Sequence, residues 1–114
     1  MKQKSKARAI LSNFHELKER RYSGAAFAID AFLDFEQAVK VAKLTDKQTQ
    51  AIQLHYYNGF KQTRVAEIMG IEKNTVSELL SRAIEEIDEV YEMWAWKDGE
   101  LSAEDFIEEA EEIA

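Results

Sequence analysis

Residues Phe60 to Arg82 read FKQTRVAEIMGIEKNTVSELLSR, and the fold turns on them. The spacing of apolar positions predicts a short helix from about Lys61 to Met69 with Val65, Ala66, Ile68 and Met69 facing inward. Gly70 ends it, because the chain must turn sharply there and glycine accepts a positive φ without steric cost. Ile71 follows as a buried plug. A second helix then packs back through Val76, Leu79 and Leu80, with Ala66 small enough to keep the two helices close and Val76 fixing their crossing. Short helix, glycine turn and second helix make a helix-turn-helix. The second helix presents Lys73, Asn74, Thr75, Ser77, Glu78, Ser81 and Arg82 outward, all able to hydrogen bond.

Upstream, Leu44-Thr45-Asp46-Lys47-Gln48 is a helix start in which Thr45 caps free backbone N–H groups and Gln48 closes a reciprocal capping box. Leu44 can staple this start, and the helix is expected to run to about Tyr57, before Asn58-Gly59. Downstream, the second helix of the motif is expected to continue to about Trp96. Its Val76, Leu80, Ala83, Ile87, Val90 and Trp94 are spaced as a heptad seam, suited either to packing on the body of the domain or to zipping onto a second copy. Lys97-Asp98-Gly99 breaks the pattern, and Ser102-x-x-Asp105 starts a last acidic helix bearing Phe106, Ile107, Ala110 and Ile113.

At the N-terminal end, Ala7, Ile10, Leu11, Phe14 and Leu17 recur at helical spacing, so one helix is expected from Lys6 to Arg21. Ser23-Gly24 interrupts it. Ala25 to Lys43 reads as another helix, with Phe27, Ile29, Phe32, Leu33, Phe35, Val39 and Val41 too numerous for one narrow stripe; it is central to the core or partly covered by another subunit. A chain of 114 residues with 46% apolar positions is sized for one domain with a proper core. No Pro and only four Gly favour helix throughout. The expected fold is all-α: basic and apolar N-terminal helices over 1–43, the helix-turn-helix over 44–87 and an acidic extension over 88–114.

The formal charge of −7 is unevenly spread. Residues 1–43 carry nine Lys/Arg against five Asp/Glu, residues 44–82 five against four, and residues 83–114 one against thirteen. An acidic pI argues against phosphate binding by the whole chain, but the first 82 residues are net basic. The acidic end is a solvating terminus, a partner-binding surface or an internal competitor for a basic face.

Little chemistry of a catalytic kind is legible. There is no Cys nucleophile, no Gly-rich phosphate loop, no Gly-x-Ser-x-Gly elbow and no metal-ligand spacing around His15 and His55. The glutamate pairs lie in helices without the oxygen-rich loop of a calcium site, so neither metal nor cofactor is expected. Ala25 to Leu33, interrupted by Asp30, falls far short of a membrane span of about 20 residues. A chain without cysteine or a secretory leader pattern is expected to be cytoplasmic and no enzyme.

The run LTDKQTQAIQLHYYNGFKQTRVAEIMGIEKNTVSELLSRAIEEI, Leu44 to Ile87, resembles region 4 of sigma-70-type factors and of their relatives among small phage and prophage late-gene activators. The resemblance rests on the Leu-Thr cap, the glycine turn, the VAEIMGI core helix and the TVSELLSRA recognition helix. It implies that the second helix reads promoter DNA in the major groove, with base contacts at Lys73, Asn74, Ser77 and Glu78. It further implies backbone contacts at Gln62, Thr63, Arg64 and Arg82, and docking on RNA polymerase. In the major groove Lys favours guanine, Asn favours adenine and Glu accepts from cytosine. Lys61 and Glu72 stand where relatives carry Ser or Thr caps, and Lys73 to Arg82 is poorer in Arg and Lys than is common there. The sequence before Leu44 is too short for a promoter-melting region.

The expected function is sequence-specific binding of double-stranded DNA by a transcriptional regulator of phage or prophage type, as a homo-oligomer and most simply a dimer. Two alternatives differ in class. One is a small terminase subunit, which packages DNA as a ring of many copies; the other is a module binding the transcription machinery through protein contacts alone.

Overall fold

In the computed structural model, residues 5–22 and 24–98 are described, and every regular element among them is helical. The order is α1 (Lys6–Ser12), α2 (Phe14–Tyr22), α3 (Ala26–Ala42), α4 (Asp46–Ile52), a π-helical turn (Gln53–Tyr57), α5 (Gln62–Met69) and α6 (Lys73–Asp98). The all-α expectation therefore holds. The acidic helix expected from Ser102 lies outside the described residues.

The single helix expected from Lys6 to Arg21 is two. Asn13 interrupts it, at φ −111° and ψ 22°, and its side-chain Nδ2 donates to the carbonyl of Ala9 at 2.8 Å. Such local bonding by Asn competes with helix continuation. The break turns Phe14 onto the rings of Phe32 and Tyr57, with centroids 5.4 and 4.5 Å away.

At α4 the capping box forms as expected, with the Gln48 N–H donating to Thr45 Oγ1 at 3.1 Å and the Thr45 N–H to Gln48 Oε1 at 2.8 Å. The helix then widens into the π turn, closed by the Asn58 N–H donating to the Gln53 carbonyl at 2.8 Å. Gly70, at φ 69°, ends α5 in the left-handed region, as the turn requires.

α6 is the spine, in contact with α1, α3, α4 and α5. With 26 residues it is about 39 Å long. Val76, Leu80, Ala83, Ile87 and Val90 are all buried within the chain, and Trp94 packs half-buried beside them. Of the two outcomes open to the heptad seam, packing on the body of the domain is the one realised. The opposing face comes from α1 (Ile10, Leu11), α3 (Phe32, Phe35), α4 (Ile52) and α5 (Val65). Each such large side chain contributes about 1.5–3 kcal/mol on burial. Ile68 departs from expectation: at 41% exposure it faces outward from α5. Ile71 is half-buried rather than a sealed plug, and on α3 Leu33 and Val41 stand exposed.

The start of the described chain is tied to the middle of α6. Asp88, in mid-α6, accepts the Ser5 hydroxyl at 2.6 Å and the Ala7 N–H at 2.8 Å. Ser5 Oγ in turn accepts the Arg8 N–H at 3.0 Å, so α1 is capped jointly by its own serine and by a carboxylate from the spine. The Lys6 ammonium lies 4.8 Å from the centroid of the Tyr91 ring. Burial pulls the Lys6 amine below its ordinary range against the opposing pull of Asp34 and Asp88, and burial raises Asp34 against the opposing pull of Lys6. Helix α1 thus grips α6 at its middle, and α3, α4 and α5 pack on the same helix.

Candidate nucleic-acid interface

The start of α5 is set by a bond from the π turn. His55 Nδ1 lies 2.8 Å from the Phe60 carbonyl, which only accepts, so this nitrogen carries the proton. The Phe60 N–H donates to the Leu54 carbonyl at 3.0 Å. Held on both sides, Phe60 and Lys61 lead directly into α5, whose first turn has no side-chain cap on its N–H groups. This is the consequence of Lys61 standing at a capping position. The first-turn N–H groups of Gln62, Thr63 and Arg64 form the positive end of the helix, where an anion is favoured.

Thr63 and Arg64 are exposed and Gln62 is half-buried. Arg64 is paired with Glu67 one turn on, at 2.8 Å, with the two side chains 60% and 67% exposed. An exposed pair of this kind is worth at most about 1 kcal/mol, so the guanidinium is available to a stronger anion.

After Gly70, the Ile71 N–H bonds the Ala66 carbonyl at 3.0 Å, and the Thr75 and Val76 N–H groups bond the Glu72 carbonyl at 3.0 and 3.1 Å. These contacts fix the angle at which α6 leaves the turn. Val76 is fully buried and Leu80 is 3% exposed, which pins one side of the helix. Asn74, Thr75, Ser77, Glu78, Ser81 and Arg82 are exposed on the other, and Lys73, three residues before Val76 and seven before Leu80, is exposed at the start of the helix on the buried stripe. Ser77, Glu78, Ser81, Arg82 and Glu85 line one open groove of about 490 Å³. Of the eight residues singled out from sequence, Ser77, Glu78 and Arg82 therefore share that groove. Lys73 and Asn74 lie one turn earlier on the same helix, and Gln62, Thr63 and Arg64 lie across the turn on α5.

Glu85 was not among the eight. It reads in the sequence as part of a charged pair with Glu86, but it stands two turns after Glu78 on the same stripe. That spacing of seven was the available signal.

The surface offers a row of donors and acceptors on a rigid rod, with an uncapped helix start beside it. It can hydrogen bond to the edges of bases and hold phosphate. Among the described residues no cluster of His, Cys, Asp or Glu is arranged to hold a metal ion, and no helix is long and apolar enough to cross a membrane.

Residues 39–87 match the family model for sigma-70, region 4, a span that runs from late α3 into the middle of α6. The match covers the whole helix-turn-helix and less than half of the chain. The matched segment is similar to a DNA-binding, transcription-related helix-turn-helix region. No curated protein and no solved structure matches the chain.

Proposed function

We propose that this protein is a transcriptional regulator of the phage or prophage type that reads promoter-like duplex DNA with the first three turns of α6. The observation that carries the reading is the division of α6 into two sides over Asn74–Arg82, with Lys73 exposed at the helix start. One side is locked into the core by Val76 and Leu80, and the other is a continuous set of exposed hydrogen-bonding side chains. In this reading Lys73, Asn74, Ser77 and Glu78 meet base edges. Gln62, Thr63, Arg64 and Arg82 meet phosphates, which fix position without carrying sequence information. The region 4 match supports it, and contact with RNA polymerase is part of the same proposal.

Because the heptad seam is used inside the chain, a dimer would need another surface, and the exposed Leu33 and Val41 on the outer side of α3 are the candidates. A ring of many copies in solution would instead favour the packaging subunit. Selection of bound duplexes from a random pool tests the function directly: enrichment of one short motif is expected, and failure to retain any duplex contradicts it. A chain that retains no duplex but captures purified RNA polymerase would be the interaction module.

A further inference from the structure

Glu85 lines the same groove as Ser77, Glu78, Ser81 and Arg82. It stands seven residues after Glu78 and three after Arg82, about 10 and 4.5 Å along the axis. Its backbone position is fixed, because Ala83, Ile84 and Ile87 on the far side of the same turns are 0–3% exposed. Among the described residues it has no ion-pair partner, Arg82 included. A phosphate backbone lying lengthwise along α6 would therefore meet an unneutralised carboxylate directly after Arg82. A duplex approached by the tip of the helix would not.

We infer that Glu85 is a specificity-determining residue of the reading surface, acting by repulsion. It keeps phosphates off the fourth and later turns of α6, so that only an approach through Lys73–Arg82 is favourable. This rests on the DNA-reading proposal above and adds to it a residue that need not touch DNA in the correct complex. Discrimination of this kind comes from penalising the wrong arrangement rather than strengthening the right one. Screening acts over about 10 Å at 0.1 M salt, which places Glu85 within range of a phosphate beside Arg82 and Glu92, two turns further on, outside it.

The test uses the full chain and fluorescence anisotropy on two duplexes, one of random sequence and one selected from the pool. Glu85→Gln keeps size and helix preference, so the fold is retained. Affinity for the random duplex should rise about two- to four-fold at low salt, with a smaller rise on the selected duplex and convergence with wild type as salt increases. Glu92→Gln should change neither, and the gain from Glu85→Gln should persist in an Arg82→Ala background. No gain, an equal gain from Glu92→Gln, or a gain that vanishes without Arg82 would each overturn the inference. In the last case Glu85 acts only by restraining the guanidinium. A wild-type chain that binds neither duplex would overturn the DNA-reading proposal itself, which is a distinguishable result.

Discussion

Replacing Asp88 with alanine should detach the first helix from the spine. The carboxylate accepts two hydrogen bonds from residues more than eighty positions away, the Ser5 hydroxyl at 2.6 Å and the Ala7 N–H at 2.8 Å. A hydrogen bond to a charged group contributes about 1.5–3 kcal/mol, but this site is part-buried and water can replace one partner. Loss of a helix cap alone costs about 1 kcal/mol. Ser5 Oγ still accepts the Arg8 N–H, so the cap is weakened rather than abolished. We expect a net loss of about 2–3 kcal/mol, and a fall in Tm of the order of 10 °C for a chain of this size. Urea unfolding followed by circular dichroism and tryptophan fluorescence would measure it. Asp88→Asn should fall between, because an amide oxygen can keep the Ala7 N–H while its NH₂ faces Ser5. Duplex binding should survive at temperatures where the variant is folded, since the start of α6 is fixed by the turn contacts to the Ala66 and Glu72 carbonyls. An Asp88→Ala protein within about 0.5 kcal/mol of wild type, the ordinary range for an inconsequential surface change, would refute the reasoning.

Three other outcomes are expected. Ile87→Asp places a charge at a position with no exposure in the core, so it should cost several kcal/mol and unfold the chain rather than separate intact subunits; denaturation and light scattering would tell these apart. Burial raises the phenols of Tyr56, Tyr57 and Tyr91 above their ordinary value of 10.0. The unfolded chain then loses these protons first, and stability present below pH 10 should be lost as pH rises beyond it, with tyrosinate absorbance rising together with unfolding. Lys6, lowered by burial, works in the opposite sense but is one group against three. Deleting residues 99–114 removes seven carboxylates, so non-specific duplex affinity should rise, most at low salt; an unchanged or weaker affinity in a folded truncated chain would argue against a competing acidic end.

What was legible in the sequence was what is local. Thr45 with Gln48, Gly70, and the spacing of Val65, Val76 and Leu80 each act over a few residues, and each is realised in the fold. Asn13 was legible only in part: apolar spacing ran unbroken from Ile10 to Leu17, and the competing bond to Ala9 had to outweigh it. The π turn carries no sequence signature, because one extra residue in a turn is decided by how Leu54, Tyr56 and Tyr57 meet the core. Asp88 was invisible for a different reason. It reads as one acid among many, and its partners are eighty residues away. The same holds for the seam on α6, whose pattern specifies an apolar neighbour without saying which chain supplies it. For the candidate site, the outward face of α6 followed from periodicity, while Glu85 was passed over because it reads as one half of a charged pair with Glu86.

Base reading by α6 is tested most directly by a binding panel over single base-pair changes in the selected duplex, for wild type, Lys73→Ala, Asn74→Ala and Arg64→Ala. Lys73→Ala and Asn74→Ala should each lose about 1–3 kcal/mol on the preferred sequence and flatten discrimination at one position, while Arg64→Ala should weaken every duplex alike. Lys73 and Asn74 variants that keep both affinity and base preference would contradict the assignment of α6 as the reading helix.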